Sequence, residues 1–264
     1  FKSSFAIENI FDNYLIKKNS FIFESVEKRK IRGRYTILGG DPDKIWEFNK
    51  NKIYLTENSK RKIIKENPYI YLKKLIDNFN FKLPKGLPPL SSLLVGYFSY
   101  DIVRYIEKIP NKCIDDLKIP DIRLIRPKTI IIYDNLKKEI YFITNCFADQ
   151  KIKNYKNYYN TQLKFISSLK NDVFQKRNKI FIKHKKIKKI NVKSNISKKR
   201  FKDIVLKAKK YIKKGDIFQV VLSQRFESKL RKAPIEIYKK LRIKNPSPFM
   251  FFFNFEDFQI IGSS

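Results

Sequence analysis

The stretch GDIFQVVLSQRF, residues 215–226, alternates along its length: Phe218, Val220 and Leu222 fall on one face, and Gln219, Val221, Ser223 and Arg225 on the other. That period predicts a strand with one apolar face and one face free to carry polar chemistry. The residues before it predict a helix, because Phe201, Ile204, Val205, Ala208, Tyr211 and Ile212 recur at helical spacing. Ser197 stands at its N-cap, Ile196 and Phe201 at hydrophobic-staple positions, and Gly215 where a left-handed C-terminal residue is wanted. Beyond the strand, a second helix is expected from Pro234 to just before Asn245-Pro246. Strands over 249–255 and 258–261 then turn at Glu256-Asp257. Helices and strands mixed in this way predict an α+β fold.

The N-terminal half predicts strands over 21–26 and 34–38, followed by a turn at Gly39-Gly40-Asp41-Pro42. Residues 93–98 are apolar around Gly96. Ile102, Val103 and Ile106 are at helical spacing ahead of Pro110. Residues 130–134 and 139–144, rich in Val, Ile, Tyr and Phe type residues and joined across Asn135, predict a β-hairpin. From residue 175 to 200 about half of the side chains are Lys or Arg with no persistent apolar pattern, which predicts a solvated linker. The expected organisation is therefore a domain over 1–174, a basic linker over 175–196 and the start of a second domain over 197–264.

Composition narrows the function classes. With 42% hydrophobic and 15% aromatic residues the chain of 264 residues can bury a core. Lys and Arg number 59 against 25 Asp and Glu, a net charge of +34. These cations are spread along the whole chain and accompany abundant Ile, Asn, Phe and Tyr, the mark of a coding bias toward A and T, so nucleic acid is not expected as a partner. A nucleic-acid-binding module resting on residues 175–200 stays as the alternative of a different class. Two cysteines, Cys113 and Cys146, and a single histidine, His184, supply neither a disulfide framework nor a zinc site. No run approaches the length of a membrane helix, the densest being residues 249–253, and a cytoplasmic location is expected. Phosphate loop, dinucleotide fingerprint and nucleophile elbow are all missing. The adjacent acids Asp115-Asp116 and Glu256-Asp257 read as solvated turns. The chain opens on Phe1 and ends on Gly262-Ser263-Ser264 directly after an apolar run, which reads as a piece of a longer reading frame.

Three long motifs of the second half, GDIFQVVLSQRF (215–226), NPSPFMFFF (245–253) and the terminal GSS, resemble the chorismate-binding enzymes, and within them the family of anthranilate synthase large subunits. SFIFESVE (20–27), GRYTILGGDP (33–42) and VGYFSYDIVRYIEKIP (95–110) are similar to the N-terminal half of the same family. The resemblance implies a layered β-sandwich of the chorismate-utilising type with flanking helices, truncated here at its C-terminus. It implies that chorismate is aminated with ammonia from a glutamine amidotransferase subunit (component II) and loses pyruvate to give anthranilate, on the route to L-tryptophan. It also implies Mg²⁺, with its ligands and the catalytic histidine beyond Ser264, so that this stretch by itself is expected to be inactive. Aminodeoxychorismate synthase, of the folate route, shares most of these motifs and is the sibling alternative.

Two groups of residues follow from the resemblance. Gln219 occupies the position of the general-base lysine of water-adding relatives. An amide cannot take a proton at neutral pH, so it suits an amine nucleophile that attacks without prior deprotonation. A feedback site for L-tryptophan maps onto Glu24 and Ser25 of the first half and onto Asn245, Pro246, Pro248, Phe249, Met250, Phe251 and Gly262 of the second. Hydroxyl and amide groups there would serve an amino-acid head, and Met, Pro and aromatic surfaces an indole. The family usually carries Tyr where Phe249 stands and a glycine pair where Lys28-Arg29 stands.

Overall fold

Ile, Phe and Tyr crowd the segments that become strands, and the long strand over 122–134 is buried on both faces. The structure, a computed structural model, describes residues 8–25, 33–79, 82–175 and 190–264. Lys28-Arg29, His184 and most of the basic run lie outside the described residues. The elements in chain order are α1 (Glu8–Tyr14), β1 (Ser20–Glu24), β2 (Tyr35–Asn49), β3 (Lys52–Glu57), β4 (Lys60–Ile64), α2 (Pro68–Asn78), β5 (Val95–Phe98), a 3₁₀ segment (Tyr100–Tyr105), β6 (Ile122–Asp134), β7 (Glu139–Thr144), α3 (Tyr155–Phe174), β8 (Lys193–Ser194), α4 (Lys198–Lys213), β9 (Phe226–Glu227), α5 (Pro234–Lys244), β10 (Met250–Asn254) and β11 (Gln259–Ser263).

Nine of the strands make one antiparallel sheet, ordered β11-β10-β1-β2-β3-β4, with β6 on the other edge of β2 and β5 and β7 on β6. The expected α+β class holds. β2 and β6 pair from Tyr35↔Asp134 to Phe48↔Ile122. The expected hairpin is β6–β7, closed at Asp134↔Glu139. Successive residues of β6 serve opposite faces. Ile131 and Tyr133 join Ile10, Phe11, Tyr14, Leu169, Val173, Ile235 and Tyr238 in the core under α1, α3 and α5. Ile130 and Ile132 join Phe21, Ile37, Phe253 and Phe255 on the reverse face.

The turn expected at Gly39 to Pro42 is instead part of β2. The breakers do not end the strand; they bulge it. Asp41 takes φ 50° and the register shifts between Pro42 and Lys44, which leaves Pro42 where no ladder donor is required. Asp43, the extra residue, turns its carboxylate onto the Arg126 guanidinium at 2.9 and 2.6 Å and accepts from Gln150 at 2.9 Å. Arg126 also donates to Asp149 at 3.1 and 2.9 Å and lies 4.0 Å from the Phe147 ring. Tyr100–Tyr105 form a 3₁₀ segment with no buried residue in place of an α-helix.

By contacts the chain divides into two units, residues 1–177 with 234–264, and residues 178–233. The second has α4 as its main element. Ser197 caps it, its Oγ accepting from the Arg200 N–H at 3.2 Å. Gly215, at φ 78°, ends it in a Schellman arrangement, with Asp216 N–H on Tyr211 O and Gly215 N–H on Ile212 O, both at 3.1 Å. The strand expected over 216–226 is not formed. A strand needs an edge to pair with, and the described part of this unit offers only the two-residue ladder of β8 with β9. Phe218 stands fully exposed.

Candidate functional site

The site begins with a sheet pairing that joins distant parts of the chain. β1 lies beside β10, Glu24 opposite Met250 and Phe23 opposite Phe251. β10 then pairs with β11, Phe251 opposite Gly262 and Met250 opposite Ser263. α5 leads into β10 through Asn245, Pro246, Ser247, Pro248 and Phe249. One edge of the first unit therefore gathers all nine residues assigned to the effector site.

They do not share one face. Met250 is buried in the core beneath the helices, and its β1 neighbour Glu24 meets α5 on that side. Phe251 belongs to the reverse face. A Cβ built on Gly262 would lie 2.0 Å from Cζ of Phe251, so the ring occupies the space that glycine leaves. Phe249 is 72% exposed, and Asn245 and Pro246 are exposed as well. Asn245 is tied down nonetheless: its carbonyl accepts from Ser263 Oγ at 2.7 Å, and its Nδ2 donates to the same oxygen at 3.3 Å.

Glu24 is buried with its carboxylate engaged. Arg242 Nε donates to both of its oxygens at 2.8 Å, and the Tyr238 hydroxyl donates to Oε1. Burial, and then the carboxylate beside it, push the Tyr238 phenol well above its usual range. Neither Tyr238 nor Arg242 emerges from the sequence reading. The available signal was their i, i+4 spacing on a helix, which places both on one face.

Two hydroxyls at this edge have no partner among the described residues: Ser25 Oγ, directly after Glu24, and Ser247 Oγ, in the loop between α5 and β10. A buried hydroxyl without a hydrogen bond costs stability, and groups left this way mark places where a further partner would be accommodated. Gln219 is elsewhere. It lies in the second unit, exposed, in irregular backbone. Among the described residues no three His, Cys, Asp or Glu side chains converge as a metal site.

The family described as chorismate binding enzyme matches residues 18–264. The chain is similar to anthranilate synthase component 1 of Acetivibrio thermocellus, 36% identical over 250 residues, covering 92% of this chain and 50% of that protein. It is similar to the component 1 of Cereibacter sphaeroides at 33% identity over 254 residues, covering 94% and 50%. Among solved structures, that of anthranilate synthase component I from Streptococcus pneumoniae TIGR4 matches with a TM-score of 0.66 at 24% identity, covering 90% of this chain and 52% of that one. The chain spans about half the length of the curated relatives it matches.

Proposed function

The chain belongs to the chorismate-binding enzyme family, and from that premise we propose that it is part of an anthranilate synthase large subunit with a built-in site for L-tryptophan. The reaction joins chorismate with ammonia and releases pyruvate to leave anthranilate, the ammonia being delivered from glutamine by a partner subunit. The relatives named anthranilate synthase component 1, at 30–36% identity, support this reading. Among the described residues no helix is long and apolar enough to cross a membrane.

In this reading Gln219 faces the nucleophile. Ammonia attacks with a lone pair it already has, so an amide that only donates and accepts hydrogen bonds suffices where water would need a base. Mg²⁺, when bound, would neutralise carboxylates of the substrate.

The observation that carries the regulatory part is the β1–β10 pairing, which sets Glu24 opposite Met250, with Ser25 following the one and the loop from Asn245 to Phe249 leading into the other. The Ser25 hydroxyl, buried and without a partner among the described residues, is suited to the head group of an amino acid. Calorimetric titration of L-tryptophan into the chain is expected to show one site. Ser25→Ala is expected to weaken it about two- to tenfold, the loss of one hydrogen bond worth roughly 0.5–1.5 kcal/mol. The same variant should not lower Tm, because Ser25 Oγ makes no bond within the described residues. Wild-type chain that takes up no tryptophan would remove the site.

A further inference from the structure

Arg242 and Tyr238 stand one helical turn apart on α5 and converge on a single carboxylate. The Glu24 side chain is 2% exposed. Its two oxygens receive Arg242 Nε at 2.8 Å each, and Oε1 also receives the Tyr238 hydroxyl. A buried carboxylate with this much donor support has one orientation available. We propose that Arg242 and Tyr238 are positioning residues of the aromatic amino-acid site, acting through Glu24; this rests on the reading of that site given above.

The geometry separates this role from simple support of the helix. The rotation of α5 is already set by apolar contact: the Tyr238 ring meets Phe11 edge-on at 6.1 Å and Phe252 at 5.8 Å, and Ile235 is buried beside them. The polar atoms of Tyr238 and Arg242 add something different, a fixed distance between the end of β1 and the last turn of α5. Three residues after Arg242 comes Asn245, whose carbonyl is held by Ser263. The loop that carries Asn245, Pro246, Pro248 and Phe249 thus leaves α5 between two clamps, Glu24 on one side and Ser263 on the other. Releasing the Glu24 clamp leaves the carboxylate free to change rotamer beside Ser25, and the ligand then bears the cost of ordering it.

The test is a cycle of titrations with L-tryptophan. Arg242→Met and Tyr238→Phe are each expected to weaken binding tenfold or more, and Arg242→Lys to recover part of the loss. Placed in a Glu24→Gln background, which removes the buried charge, the same two substitutions are expected to change affinity less than twofold, since their path runs through the carboxylate. Equal losses in both backgrounds, or singly substituted chains that bind like wild type, would overturn the positioning role. Should Arg242→Met fail to fold by circular dichroism, the Tyr238→Phe pair decides alone, because it removes one oxygen and keeps the packed ring. Wild-type chain that binds no tryptophan overturns the site reading itself, and the positioning role with it.

Discussion

Gly262 shows how little space the β10–β11 pairing leaves. Any Cβ there meets the Phe251 ring at 2.0 Å, and that ring packs among buried side chains of the reverse face, so it cannot simply swing away. Gly262→Ala is expected to cost about 1–3 kcal/mol through overpacking. Thermal unfolding reads this as a lowered Tm; an unchanged Tm would mean that the ring yields freely. At this scale the β1–β10 register sets Glu24 opposite Met250. The sequence was silent about what Glu24 bonds to. Tyr238 and Arg242 are 214 and 218 positions from Glu24 in sequence, and on an amphipathic helix a Tyr and an Arg at i, i+4 look like any half-buried pair. Only the register of β1 against β10 brings their carboxylate partner within reach.

Elements were legible where the pattern carries its own partner. The hairpin β6–β7 and the cap signals of α4 are local, and they were found where expected. Gly39 to Pro42 bulges where a turn is expected because glycine and proline suit bulges as well as turns, and the long pairing of β2 with β6 overrides the local preference. That bulge is also an electrostatic element. Burial works against the Asp149 carboxylate, but hydrogen bonds from Arg126 and Lys44 hold it down at about 2. A folded value below the ordinary carboxylate pKa of about 3.9 contributes stability above that pH, and the contribution is lost as pH falls through about 2. Urea unfolding compared at pH 5 and pH 2.5 should therefore show a loss that Asp149→Asn reduces; an identical loss in the variant would assign it to other carboxylates. Arg126→Met is the more severe change, because it leaves Asp43 without its guanidinium. Breaking such a buried pair costs about 3–5 kcal/mol.

The whole molecule is organised by insertion: residues 178–233 interrupt a unit whose two parts are stitched by β10 lying between β1 and β11. The sequence suggested a division near residues 174 and 197, where the basic run begins and the sharp helical period starts. Contacts group residues 234–264 with the N-terminal sheet, because long-range pairing has no signature in composition. The two units differ in what they bury. Every fully buried apolar side chain among the described residues belongs to the first unit, whereas in residues 190–233 Phe218, Val221 and Phe226 are exposed. Stability follows buried apolar area, so opening of the second unit should need far less free energy than opening of β2 or β6. Brief trypsin treatment is then expected to cut within residues 198–233, which hold many Lys and Arg in lightly buried backbone. The two pieces should nonetheless elute together in gel filtration, since Ser20↔Asn254 to Glu24↔Met250 and the core around Tyr238 and Phe252 hold them across the cut. Hydrogen exchange should agree, with amides of residues 216–226 exchanging first and those of β2 and β6 last. Separation of the pieces under native conditions would mean that chain continuity, and not the β1–β10 seam, keeps this edge of the sheet assembled.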